Sequence, residues 1–121
     1  MRIQLTSLAL FGAVLSVACG GSAGSSEPVV SDTPVTAATV QATPSEQFTP
    51  NVVTLVTGGT VTIAFGSLAH NVFFDGAPAG APANITAPSS NKSATLTFTQ
   101  PGTFVYNCHI HPGMHGTVVV K

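Results

Sequence analysis

Charge is what this sequence has least of. Among 121 residues only three are Lys or Arg and four are Asp or Glu, for a formal net charge of −1. There is no basic patch to grip a nucleic-acid backbone or an anionic lipid surface, and nucleic-acid binding is excluded on that ground. Tryptophan is absent, tyrosine occurs once and cysteine twice. Because Cys19 lies in a leader-like N-terminus, Cys108 is left without a disulfide partner. A lone thiol in an oxidising compartment is a liability unless it is buried or bound to a metal. Also missing is any sustained helical period, and the length suffices for one domain rather than two.

What is present begins with an export signal. Arg2 precedes the apolar run Leu5 to Val17, too short to cross a bilayer as a mature helix, and residues 1–18 read as a signal peptide. Leu15-Ser16-Val17-Ala18-Cys19-Gly20 is similar to a bacterial lipoprotein processing site that would leave Cys19 acylated. Ser16 stands where that pattern carries an aliphatic residue, so ordinary cleavage after Ala18 is the competing reading. Both place the protein outside the cytoplasm, in the periplasm or another extracytoplasmic compartment, and lipoprotein processing would also attach it to a membrane. Loss of Arg2 leaves two lysines against four carboxylates, a net charge of −2. Residues 19–34, rich in Gly, Ser, Ala, Thr and Pro, read as a flexible tether, and residues 35–121 as the domain.

The domain alternates short Val, Thr, Ile and Phe runs with Gly, Pro, Asn and Ser, an all-β pattern. Strands are expected at about Thr36–Ala42, Asn51–Thr57, Thr60–Gly66, Asn71–Asp75, Ser93–Gln100, Thr103–Cys108 and Thr117–Lys121, with Gly58-Gly59 as a hairpin turn. Seven such strands suggest a sandwich. Period-two alternation puts Val61, Ile63 and Phe65 on one face, and likewise Ala94, Leu96 and Phe98. The same period aims Cys108 with Phe104 and Tyr106 toward the core and turns His109 away. The segment Gly76–Ser90, poor in apolar bulk, reads as a long surface loop.

Chemistry concentrates near the C-terminus. Tyr106 to Gly116 hold three of the four histidines, Cys108, and Met114, the only methionine besides Met1. A thiolate, an imidazole and a thioether at three-residue spacing, Cys108, His111 and Met114, supply soft and borderline donors from one loop, a set suited to both oxidation states of copper. His70 is the only histidine elsewhere and the natural fourth ligand.

These stretches resemble the cupredoxins, in particular the plastocyanin, pseudoazurin and amicyanin group. Phe48-Thr49-Pro50 with Val52–Val56 and Gly59–Ile63 looks like the early strands, His70-Asn71-Val72 like the first-ligand motif, and Cys108-x-x-His111-x-x-Met114 with Gly116 like the ligand loop. The resemblance implies a two-sheet Greek-key β-sandwich holding one Cu(I)/Cu(II) ion per chain. His70, Cys108 and His111 would form a trigonal plane, Met114 a long axial contact, and Asn71 a brace for the ligand loop. It implies a monomeric one-electron carrier rather than an enzyme. Transient redox partners would dock at an exposed edge of His111, ringed by Pro112, Gly113 and the Ala-Pro-Gly loop.

Three alternatives stay open. A copper-delivery protein would carry more methionines. A small oligomeric copper enzyme would use His109 at a second copper, for which His109 and His115 are the only imidazoles left over. A metal-free immunoglobulin-like sandwich leaves the clustering of rare donors unexplained.

Overall fold

The computed structural model describes residues 32–76 and 78–121. The expected signal peptide, Cys19 and the tether as far as residue 31 lie outside the described residues. The strands are β1 (Val35–Ala42), β2 (Phe48–Thr49), β3 (Val52–Phe65), β4 (His70–Phe74), β5 (Ile85–Ser89), β6 (Lys92–Thr97), β7 (Gly102–Asn107) and β8 (His115–Val120). The described residues contain no helix.

Hydrogen bonding runs in the order β2-β1-β3-β8-β7-β4-β5, with β6 also on β3. The first half of β3 pairs in parallel with β8 through Val52–Leu55, and its second half, Thr60–Phe65, lies between β1 and β6. One strand thereby serves two layers. Between them sits a single core that joins Val40, Val61, Ile63 and Leu96 to Phe104, Tyr106 and Val118. Val61, Ile63 and Phe65 are buried while Thr60, Thr62 and Ala64 are less so, the alternation expected of half-buried strands. The fold is all-β, a two-layer sandwich.

Two sequence expectations are corrected. Gly58-Gly59 makes no hairpin: β3 continues through it, and the register with β1 jumps between Val35–Leu55 and Ala37–Thr60. Gly58 does take a positive φ of 86°, but its N–H bonds to the Phe98 carbonyl at 2.7 Å while the Phe98 N–H bonds to Gly59 at 2.9 Å. The glycines bend the strand from one layer into the other, as an irregularity of this kind does. Nor is Gly76–Ser90 loop throughout, since β5 pairs with β4 through His70–Ser89 and Val72–Ile85. An edge strand with only one partner needs little apolar bulk, which is why composition concealed it.

Antiparallel pairing then sets the site. Asn107 opposes His115 and Phe73 opposes Asn107, so the start of β4, the end of β7 and the start of β8 meet at one pole.

Candidate metal centre

Cys108 follows β7 in step with the buried Phe104 and Tyr106 and is itself 3 % exposed. The chain from Cys108 to Met114 closes on itself: the Cys108 N–H donates to the Met114 carbonyl at 2.9 Å, and the Met114 N–H to the His111 carbonyl at 3.2 Å. Gly113, with φ of 88°, makes the left-handed turn this closure needs. Buried Asn71 accepts the His109 N–H at 2.7 Å and ties the loop to β4.

His70 is fully buried at the head of β4. Its Nε2–H donates to the Thr43 carbonyl at 3.0 Å, which leaves the Nδ1 lone pair facing inward. There His70 Nδ1 lies 3.0 Å from His111 Nδ1 and 4.0 Å from Cys108 Sγ, and His111 Nδ1 lies 3.6 Å from Cys108 Sγ. The point equidistant from these atoms is about 2.1 Å from each, against roughly 2.0–2.3 Å for imidazole and thiolate bonds to a first-row ion. One ion fits, and the donor chemistry suits copper. Met114 is buried at the loop's end. Its backbone is hydrogen-bonded to both Cys108 and His111.

The two remaining histidines stand apart. His109 is exposed, its ring stacked on Phe73 with centroids 3.9 Å apart and planes 7° from parallel. His115 is exposed and its Nδ1–H donates to the Gly113 carbonyl at 2.9 Å. Among the described residues His70, Cys108 and His111 form the one group able to converge on an ion.

A third expectation is corrected here. The Ala-Pro-Gly loop does not ring His111 as a whole, because β4 runs away from the ligand loop as far as Asp75, whose N–H reaches the Val105 carbonyl. Gly80 consequently packs on Gln100, before the start of β7 and at the opposite end of that strand from Cys108. The far end of that segment, Ser89, lies beside His70, and the β1–β2 connection, residues 43–47, reaches the site through Thr43. Sequence reasoning missed Thr43 altogether, since it acts through a carbonyl that every residue possesses.

Burial holds the His70 pKa below its ordinary 6.5; the nearby His111 lowers it further, while the Thr43 hydrogen bond and Glu46 oppose the shift. A folded pKa below the unfolded one means that the unfolded chain takes the proton first, so stability is full above about pH 6.5 and declines as pH falls toward the folded pKa. Thermal melts at about pH 7.5 and pH 5.5 are expected to show the lower midpoint at the acid value. Equal midpoints would contradict this.

Over residues 35–121 the chain matches the family of copper binding proteins described as plastocyanin/azurin. It is 40 % identical to amicyanin-alpha of Methylorubrum extorquens over 57 residues, 46 % of this chain and 47 % of that protein. The match thus spans about half the length of that curated relative. In three dimensions it is similar to amicyanin from Paracoccus versutus, with a TM-score of 0.62, 29 % identity, and 74 % of this chain and 86 % of that one covered. The copper-containing nitrite reductase of Thermus scotoductus is similar at a TM-score of 0.57 and 29 % identity, over 74 % of this chain but 22 % of the enzyme.

Proposed function

The chain belongs to the plastocyanin/azurin family of copper-binding proteins, and from that premise we propose that it is a one-electron carrier working outside the cytoplasm, with one copper ion held by His70, Cys108, His111 and Met114. The observation that supports this reading best is the triangle of Nδ1, Nδ1 and Sγ atoms, sized for a single ion. When bound, copper supplies a Cu(II)/Cu(I) couple that takes up and returns one electron.

The chain's own residues supply the rest. Cys108, His70 and Met114 are buried and keep water from the donors. His70 is oriented by Thr43, and Asn71 holds the backbone beside Cys108. One donor fixed at the head of β4 and three on the hydrogen-bonded loop between β7 and β8 resist rearrangement when the charge changes, which keeps exchange fast. His111 is partly exposed, with Ile110, Pro112 and Gly113 exposed around it. That apolar rim suits a small, short-lived encounter with a redox partner. With so few charges, steering is weak and association depends little on salt. Residues 1–18 serve as the export signal, and residues 19–34 as a tether, with Cys19 lipidated if it is processed as a lipoprotein.

The likeness to a nitrite reductase favours a second reading, a copper enzyme that uses His109 at another ion. It covers less than a quarter of that enzyme, and His109 is stacked on Phe73. Titration of the purified protein with Cu(II) separates the two. The carrier takes up one equivalent per chain, colours intensely, cycles reversibly between oxidation states, and keeps its stoichiometry in His109→Ala. A second equivalent that disappears in His109→Ala would sink the carrier reading.

A further inference from the structure

The hairpin connection from Thr43 to Gln47 is exposed beyond Thr43 itself, yet its backbone is densely hydrogen-bonded. Thr43 N–H donates to the Gln47 carbonyl at 2.9 Å. The Thr43 hydroxyl donates to the same carbonyl at 3.1 Å and accepts the Gln47 N–H at 3.3 Å, with Ser45 Oγ 2.9 Å away as a second donor. One proton given and two lone pairs filled is the full capacity of a hydroxyl. The Thr43 carbonyl is likewise filled, by the Glu46 N–H at 3.1 Å and the His70 Nε2–H at 3.0 Å.

Glu46 has φ of 60°, a left-handed conformation unfavourable for a residue other than glycine. Such a conformation persists only where its surroundings over-determine it. With Pro44 to Gln47 exposed, core packing does little to hold this loop; two backbone bonds close it, and the three bonds of the Thr43 hydroxyl add to them.

We propose that the Thr43 side chain is a positioning group for the metal centre: by closing the loop 43–47 it aims the Thr43 carbonyl and so fixes the orientation of the His70 imidazole. The link to copper rests on the proposed role of His70 as a ligand; the link to His70 does not. Thr43→Val keeps the branched shape and removes the hydroxyl, and Thr43→Ser returns it.

The test reads the His70 Nε2 proton directly, by nitrogen-resolved NMR of the full chain as purified and again after loading with Cu(I). In Thr43→Val that proton is expected to exchange with solvent about tenfold faster. Copper affinity should fall by up to about tenfold, the low end of the loss seen when an outer partner is removed outright, because the Thr43 carbonyl remains but is no longer aimed at His70. Thr43→Ser restores both. Ser45→Ala, which removes a single bond from the hydroxyl, shifts both partway and keeps the test readable if Thr43→Val does not fold. Variants that melt earlier while His70 exchange and copper affinity stay as in the parent would overturn the proposal and leave Thr43 a hairpin stabiliser. A parent chain that takes up no copper would defeat the ligand role of His70, with the exchange rates still deciding whether Thr43 holds the ring.

Discussion

Replacing Cys108 with serine is expected to abolish the intense visible absorption of the copper-loaded protein while leaving the fold in place. A hydroxyl is close in size to a thiol but is a hard, weakly acidic donor, and a soft thiolate is what suits copper in both oxidation states. Cys108 is 3 % exposed, and its Sγ is one of the three donor atoms that converge at the site. Its loss should weaken Cu(I) binding by more than the roughly 10–100-fold that follows from loss of an outer partner alone. The melting temperature of the unloaded protein checks that the domain survives, and absorption after addition of Cu(II) reads the site. A Cys108→Ser protein that kept the parent's colour would refute the assignment.

A second large effect is expected where the site meets the core. Gly116 lies directly opposite Tyr106 in the β7–β8 ladder, and a methyl group there would overlap the phenol ring. The ring has no room to withdraw. Tyr106 is 1 % exposed, with Phe48 edge-on at a centroid distance of 4.8 Å and Phe74 at 6.0 Å. Overpacking of this kind costs about 3 kcal/mol at the upper end of its usual range. For a domain this size that corresponds to a fall of roughly 10–25 °C in melting temperature. Because Gly116 follows Met114 by two residues, the ligand loop should loosen as well. Tyr106→Phe is the informative control. Its hydroxyl is buried with no hydrogen-bond partner among the described residues, and burial pushes its pKa up, so losing it should change stability by less than about 1 kcal/mol. A Gly116→Ala protein as stable as the parent would show that the ring can move.

The donor-bearing loop was legible because the chain is so poor in soft donors that Cys108, His111 and Met114 stand out by rarity, and His70 by elimination. Strand faces were legible because alternation is local: Val61, Ile63 and Phe65 declare a buried face whatever they pack against. Local reasoning failed where one residue type serves two structures. A glycine pair with positive φ suits a hairpin and equally a bend within a strand, and only the pairing of both halves of β3 with different neighbours decides between them. It failed again at β5, whose single partner asks for little hydrophobicity.

From residue types alone came the all-β class, the family resemblance and the expectation of four donors, since composition and period two are written in side chains. Three things were settled by tertiary structure: which ring nitrogen of His70 faces inward, that His109 lies flat against Phe73, and that the hairpin before β2 reaches the centre through the Thr43 carbonyl. Each depends on backbone groups or distant surfaces brought together by strand direction. A carbonyl is common to every residue, so nothing in the sequence distinguishes the one at Thr43 until the fold has carried it to His70.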